Sequence, residues 1–318
     1  MNLPAQFNGL DQAELPPTPL HLAIGMFDGV HLGHQAVIES AVHSARRSGG
    51  QAGVLTFWPH PSVIFNPSGG TRMLMSPGVK SRVLLRLGVD VIIQQTFSRE
   101  FAGITVEEFL PYLQQRLPHL AGIYVGENWR FGAGRKGDVQ QLLAEAVKHH
   151  LSVLSVPRIL WNGDPISSTR IRDCIEAGRL EEANTLLGYS YFAEGVVTRG
   201  RQLGRTIGFP TLNVPWNPEL KPRYGVYAVR VNGGDGAPAL AAVANYGLRP
   251  TVGNAGAPLL EAHLLGACPF VEGNQVTVEW LKFMRAEQKF PDLGQLREQI
   301  ARDRTEAEAY FQTQAATS

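Results

Sequence analysis

Cysteine is scarce in this chain of 318 residues, with Cys174 and Cys268 the only two. Two distant cysteines make no disulfide framework and suit a reducing compartment. An excess of charge is missing as well, since 29 Lys and Arg face 28 Asp and Glu, a net charge of +1. Bulk electrostatics therefore argue against nucleic acid as the main partner. No apolar run approaches the length of a bilayer span, so no membrane partner is expected. The opening residues MNLPAQFNGLDQAELPP have neither the basic segment nor the apolar core of a signal peptide, and a cytoplasmic location is expected. What remains, 44% hydrophobic and 18% charged residues, is an ordinary globular composition. The length exceeds what one hydrophobic core usually serves, so two domains are expected.

The first half alternates two patterns. Short apolar runs at Leu20–Ile24, Ala52–Phe57, Val89–Ile93, Ile123–Val125 and Leu151–Val156 read as buried strands. Helix-patterned stretches at Gln35–Ser48, Val79–Leu87, Val106–Leu117 and Val139–His149 lie between several of them. Such a βαβα rhythm implies a parallel sheet covered on both faces, with ligands at the carboxyl ends of its strands. After Leu186-Leu187-Gly188 the pattern changes. Strand-like runs at Phe192–Thr198, Val226–Val231, Ala239–Tyr246, Leu259–Leu265 and Gln275–Phe283 read as a small antiparallel barrel, closed by a charged helix from Leu293 to Phe311. Residues 312–318 are expected to fray. Lys80, with Arg82 and Arg86, suggests a basic surface.

Gly25-Met26-Phe27-Asp28-Gly29-Val30-His31-Leu32-Gly33-His34 follows the first strand run and opens a helix. Free backbone N–H groups and the helix dipole favour an anion at such a junction. Gly33 removes a side chain there, and imidazoles at i and i+3 share one face. A nucleoside triphosphate fits this chemistry. A zinc pair would need more ligands than two distant cysteines supply, whereas a plain strand–turn–helix with incidental histidines stays open on these residues alone. Ile166-Ser167-Ser168-Thr169-Arg170-Ile171-Arg172 places hydroxyls and guanidinium groups before a helix pattern, suited to phosphate oxygens or to simple N-capping. Aromatic rings in Thr56-Phe57-Trp58-Pro59-His60-Pro61 and Gly126-Glu127-Asn128-Trp129-Arg130-Phe131-Gly132 could stack on a planar ligand or fill a core. In the second half, the segment from Gly200 to Asn213 is a glycine-rich, arginine-bearing loop leading into Pro210-Thr211-Leu212-Asn213. Thr211 and Asn213 would project together and could hold a hard cation. Glu261, in an apolar strand run, is costly unless paired or functional.

The histidine segment resembles the nucleotide site of the HxGH nucleotidyltransferases. More closely, it is similar to the amino-terminal half of the bacterial bifunctional riboflavin kinase/FMN adenylyltransferases, also called FAD synthetases. The segment ISSTRIR matches that family residue for residue, and the segment ending in Thr211-Leu212-Asn213 resembles the riboflavin kinase signature, with Leu212 where the usual Pro-Thr-Ala-Asn has Ala. Many members carry Asp and Phe where this chain has Asn128 and Trp129, and Leu265–Phe270 departs from the family's more acidic stretch.

The resemblance implies an α/β, Rossmann-like transferase domain over residues 1–187 and a riboflavin kinase β-barrel with a terminal helix over 188–318. It implies small-molecule substrates and two ATP-dependent steps with Mg²⁺, riboflavin to FMN and FMN to FAD. His31 and His34 would stabilise charge on the phosphates and Arg170 or Arg172 would clamp them. Gly25, Phe27, Asp28, Gly29, Gly33, Ser167, Ser168, Thr169 and Arg172 would line the ATP site of the transferase half, and Phe57, His60, Asn128, Trp129 and Phe131 the flavin site. In the kinase half, Gly200, Gly204, Arg205, Gly208 and Pro210 would hold ATP, Thr211 and Asn213 the metal, and Glu261 would be the general base. The alternatives are a riboflavin kinase with a degraded transferase half and a non-catalytic flavin-binding regulatory protein.

Overall fold

The structure, a computed structural model, describes residues 5–199, 208–234, 237–248 and 258–316. The chain divides into two compact units, Met1–Ser168 and Thr169–Ser318.

The first unit is built on β1 (Ala5–Phe7), β2 (Leu20–Ile24), β3 (Gln51–Trp58), β4 (Val91–Thr96), β5 (Leu120–Gly126) and β6 (Ser152–Val156). They form one sheet in the order β1-β4-β3-β2-β5-β6, with every neighbouring pair parallel. The inner strands are buried almost throughout, because helices cover both faces of such a sheet. Helix α1 (Leu32–Ser48) turns Val37, Ile38, Ala41 and Ala45 inward, packs on β2, β3 and β5, and stops at Gly49 in the left-handed conformation. Four further helices follow: α2 (Pro61–Phe65), α3 (Pro77–Arg86), α4 (Arg99–Ala102) and α5 (Val106–Arg116), the last with a reciprocal Thr105–Glu108 cap. Helix α6 (Val139–Lys148) and the short hairpin of β7 (Leu160–Trp161) and β8 (Asp164–Pro165) complete the series.

The order of strands decides where the site can be. From β2 the chain moves to β3 and β4 on one side, then to β5 and β6 on the other. The carboxyl ends of β2 and β5 therefore flank the point where the connections diverge, which is the usual ligand crevice of an open parallel sheet. The histidine segment leaves β2 and the Gly126–Gly132 segment leaves β5.

The second unit begins with α7 (Ser168–Ala177, whose first residue belongs to the first unit) and α8 (Leu180–Leu187). Six strands follow: β9 (Phe192–Val196), β10 (Leu212–Pro215), β11 (Gly225–Asn232), β12 (Leu240–Leu248), β13 (Pro258–Leu264) and β14 (Gln275–Ala286). The sheet runs β10-β13-β12-β11-β14-β9, all antiparallel. A bridge between Thr198, just past β9, and Asn213 on β10 nearly closes it into a barrel. Fully buried Tyr227, Tyr246 and Trp280 fill the interior, with Trp216 packed on the latter two at 5.5 Å between ring centroids. Asn184 of α8 donates to the Trp280 carbonyl and accepts the Tyr191 N–H, which ties that helix to the barrel. Helix α9 (Leu293–Ala316) closes the unit.

Three expectations are corrected. The terminal helix does not end at Phe311 but continues to Ala316, and residues 317 and 318 lie outside the described residues. ISSTRIR does not precede a helix but enters it, because α7 starts at Ser168. Lys80 contributes no basic surface, for its side chain is turned inward and only 2% exposed. Strand β1 escaped the periodicity, being too short to show one.

Candidate active sites

The turn after β2 is held in unusual backbone conformations. Phe27 and Val30 have positive φ, 47° and 36°, and Gly29 has φ 79°. Such conformations persist in non-glycine residues only where the surroundings enforce them. Here Phe27 and Asp28 are each 2% exposed, and the Leu74 N–H donates to both oxygens of the Asp28 carboxylate, at 2.9 and 3.2 Å. Gln35 donates to the Val30 carbonyl at 2.8 Å. Gly25 leaves room beneath the turn, since a Cβ there would stand 3.0 Å from the Phe27 ring.

His31 is the N-cap of α1, and its Nδ1 accepts the His34 N–H at 3.3 Å. Nε2 is then the protonated nitrogen, a donor free to face an oxyanion. The two imidazoles stack with centroids 3.6 Å apart and planes 16° from parallel. The Phe27 ring stands edge-on to His34 at 5.4 Å. Gly33 allows this stack, because a Cβ at that position would come within 3.2 Å of the His31 ring.

Burial pushes the His31 pKa from 6.5 down to about 4, against a smaller upward pull from a backbone hydrogen bond. Burial also holds His34 well below the ordinary value, helped by the neighbouring charges of His31 and Lys80. Both rings are therefore neutral at physiological pH. The Nδ1 of His34 is sealed from solvent with no hydrogen-bond partner.

Lys80, on α3, was not read from the sequence as part of this site. Its ammonium donates to the Met26 carbonyl at 3.0 Å and to Thr56 Oγ1 at 2.9 Å. The Thr56 hydroxyl in turn donates to the same carbonyl at 3.0 Å. Burial lowers the Lys80 pKa to about 8, opposed by attraction to Asp28. A lysine this deeply buried is a signal of its own, but only a tertiary structure reveals the burial.

The other residues expected at this site fall in several places. The Ser168 hydroxyl, still within the first unit, donates to the Asp28 carbonyl at 2.9 Å. Ser167 and Arg172 are half-buried and Thr169 is exposed. Arg170 is engaged by Glu182 at 3.0 Å, and that guanidinium is the main cause of a lowered Glu182 pKa. His60 caps α2, its Nδ1 accepting the Ser62 N–H at 3.1 Å. Asn128 is exposed after β5. Trp129 stacks on Phe131 with centroids 4.9 Å apart, and Phe131 is buried against Phe109. Phe57 is buried too, tilted against Phe101 at 5.3 Å. Of the aromatic set, then, Phe57 and Phe131 spend their faces on the core.

In the barrel, strand register makes the site. Glu261 on β13 is the partner of Asn213 on β10 and of Asn245 on β12. Directly opposed residues share a face, so the three side chains form one polar row across three strands. Asn213 is 4% exposed and Glu261 half-buried. Asn245 donates to Glu287 at 3.5 Å. His263, two residues along the same face, hydrogen-bonds the Pro210 carbonyl through Nδ1 at 2.8 Å, which ties β13 to the approach to Thr211. Leu212 is buried between Thr211 and Asn213. Gly208 has φ 89°. Gly200, Gly204 and Arg205 lie outside the described residues. Asn245 was missed in the sequence because only cross-strand pairing brings it to Glu261, whereas the alternation along β13 already placed His263 on the Glu261 face. Among the described residues no group of three or more His, Cys, Asp or Glu could hold a metal ion, and no helix is long and apolar enough to cross a membrane.

Known proteins resemble the chain on both sides of this division. Residues 15–170 match the family model described as FAD synthetase, and residues 187–311 match that described as riboflavin kinase. The bifunctional riboflavin kinase/FMN adenylyltransferase of Escherichia coli (strain K12) is 37% identical over 311 residues, 98% of each chain. Its counterpart from Listeria monocytogenes is 36% identical over 294 residues, 91% of this chain and 92% of that one. A solved structure from Streptococcus pneumoniae, described as a macrolide-efflux protein, superposes with a TM-score of 0.85 at 28% identity, covering 96% of this chain and 99% of that one.

Proposed function

The chain belongs to the bifunctional riboflavin kinase/FMN adenylyltransferase family, and from that premise we propose how its two reactions are divided among its residues. The enzyme phosphorylates riboflavin to FMN and adenylates FMN to FAD, each with ATP. We assign the second step to residues 1–187 and the first to residues 188–318, in a cytoplasmic enzyme.

The observation that carries the assignment is the stacked pair of neutral imidazoles at the start of α1. In adenylyl transfer an FMN phosphate oxygen attacks the α-phosphorus of ATP, and the bond to the departing pyrophosphate breaks. Negative charge grows on the phosphates between the two. The Nε2–H of His31 meets it as a neutral donor held in place before the reaction, so little reorganisation is needed. The N–H groups opening α1 and the hydroxyls of Ser167 and Thr169 add donors, while Ser168, its own O–H given to the Asp28 carbonyl, lines the ATP site. Arg172 clamps the phosphates, while Arg170, paired with Glu182, gives shape to α7 and reaches the phosphates less readily. Gly25, Phe27, Asp28 and Gly29 form the turn that presents the histidines. Asn128, Trp129 and His60 border the flavin, with Phe57 and Phe131 supporting them from the core.

In the barrel the riboflavin 5′-hydroxyl attacks the γ-phosphorus of ATP and ADP departs. Glu261 takes the hydroxyl proton. Thr211 and Asn213 offer two uncharged oxygen donors beside that carboxylate, a sparse set that fits Mg²⁺ better than a cation wanting a full protein cage. When bound, Mg²⁺ would draw charge from the phosphate oxygens. Gly208 and Pro210 shape the approach, and Gly200, Gly204 and Arg205 would hold the phosphates.

A chromatographic time course with riboflavin, ATP and Mg²⁺ tests this reading. FMN appears first and converts to FAD in wild type. His31→Ala stops at FMN, whereas Glu261→Ala makes no FMN but still converts supplied FMN to FAD. FAD formation by His31→Ala would overturn the assignment.

A further inference from the structure

Lys80 is a buried cation outside both motifs, and its surroundings give it a task. Its ammonium, Thr56 Oγ1 and the Met26 carbonyl form a closed triangle of contacts at 3.0, 2.9 and 3.0 Å. The accounting is complete at the carbonyl, since one oxygen accepts from two donors. Met26 immediately precedes Phe27, the first residue of the turn with positive φ, and Phe27 is the ring that stands against His34. The triangle thus joins three separate segments: α3, the carboxyl-terminal part of β3 and the histidine turn. A methionine or glutamine of similar length could fill the space. Burying an ammonium there instead is costly unless its charge or its hydrogen bonds are needed.

We propose that Lys80 is a positioning residue for adenylyl transfer, clamping the Met26 carbonyl to Thr56 and so holding the turn that aims His31 and His34. This rests on the assignment of FAD formation to those histidines. The charged and titratable groups that act on His34 are His31 and Lys80, while Asp28 acts on Lys80. The ammonium therefore has a second effect. It repels a proton from His34 and, together with burial, keeps that ring neutral.

The test uses the full-length enzyme with Lys80→Met and Thr56→Val, measuring FAD formation from supplied FMN and, in parallel, FMN formation from riboflavin. Displacing a catalytic group by a fraction of an ångström to 1 Å costs up to about 10²-fold in rate. Lys80→Met is expected to lower kcat for FAD formation by about that factor, to leave KM for FMN and ATP within about threefold, and to keep FMN formation at the wild-type rate. Its acid limb moves to higher pH, because His34 loses a repelling charge. Thr56→Val, nearly isosteric, moves kcat in the same direction by a smaller factor without shifting the acid limb, and it decides the matter if Lys80→Met does not fold. Wild-type kcat in a folded Lys80→Met, or a loss confined to thermal stability or KM with an unmoved acid limb, would overturn the proposal. His31→Ala run beside it separates the two readings. If His31→Ala abolishes FAD formation and Lys80→Met does not, only the inference about Lys80 fails.

Discussion

The imidazoles of His31 and His34 lie face to face, and the backbone N–H of His34 is what orients the ring of His31. One residue thus supplies both a stacking surface and a steering hydrogen bond to the other. Gly33, between them, is the vacancy into which the first ring folds.

Gly33→Ala should consequently separate stability from activity. A methyl at that position would stand 3.2 Å from the His31 ring, close enough that the ring must yield by a few tenths of an ångström. Alanine is otherwise the better helix former by about 1 kcal/mol, so the fold should not suffer. The expected result is an unchanged or raised melting temperature with FAD formation reduced about tenfold, since misplacement of a catalytic group is expensive. FMN formation in the same sample serves as the control.

The histidine pair should also make the protein sensitive to acid. His31 holds off protonation until about pH 4, whereas its unfolded form takes a proton near 6.5. Between those values the unfolded state binds the extra proton, so stability rises with pH across that window. The contribution is fully present above pH 6.5 and is lost as pH falls toward 4. His34 shifts in the same direction. Thermal melts at pH 7 and pH 4.5 should therefore differ more for wild type than for the His31→Asn/His34→Asn double variant.

In the barrel, the pairing of Glu261 with both Asn213 and Asn245 predicts a graded series. Glu261→Gln keeps the shape and removes the base, and general-base catalysis is worth about 10²–10⁴-fold. FMN formation should fall within that range while conversion of supplied FMN to FAD is retained. Asn245→Ala should lower FMN formation less, because Asn245 flanks the carboxylate and takes no proton. Steady-state rates for the two half-reactions measure both.

Asp303 on α9 and Arg285 on β14 make a two-pronged ion pair at 2.7 and 2.8 Å, with the Asp303 side chain 5% exposed. Breaking a buried pair by removing one partner costs about 3–5 kcal/mol, mostly through the charge left behind. Asp303→Ala should undock α9 and lower the unfolding midpoint of the kinase unit. Chemical denaturation followed by Trp fluorescence reports it, since Trp280 sits in that core.

Much of the fold was legible because it is local. Apolar runs of strand length alternating with helix-patterned stretches point to the parallel sheet, and the change of pattern after Gly188 points to the barrel. The aromatic segments were harder. Phe131 at a strand end reads the same whether it faces a ligand or Phe109, and burial alone distinguishes them. The short strand β1 was invisible because its parallel pairing with Val91–Ile93 lies far away in sequence.

By itself the sequence determined the residue types and spacings of the chemistry: two histidines three apart at a helix start, hydroxyls before arginines at another, and Thr, Asn and Glu in strand-patterned runs. Those depend on neighbours within a turn or two of backbone. Only the tertiary structure decided that Lys80 lies beneath the histidine turn, that Gly33 makes room for a ring, and that Asn245 joins Asn213 beside Glu261. Each of these depends on burial or on cross-strand register. Both are set by packing between segments distant in the chain, and no short window of residues contains them.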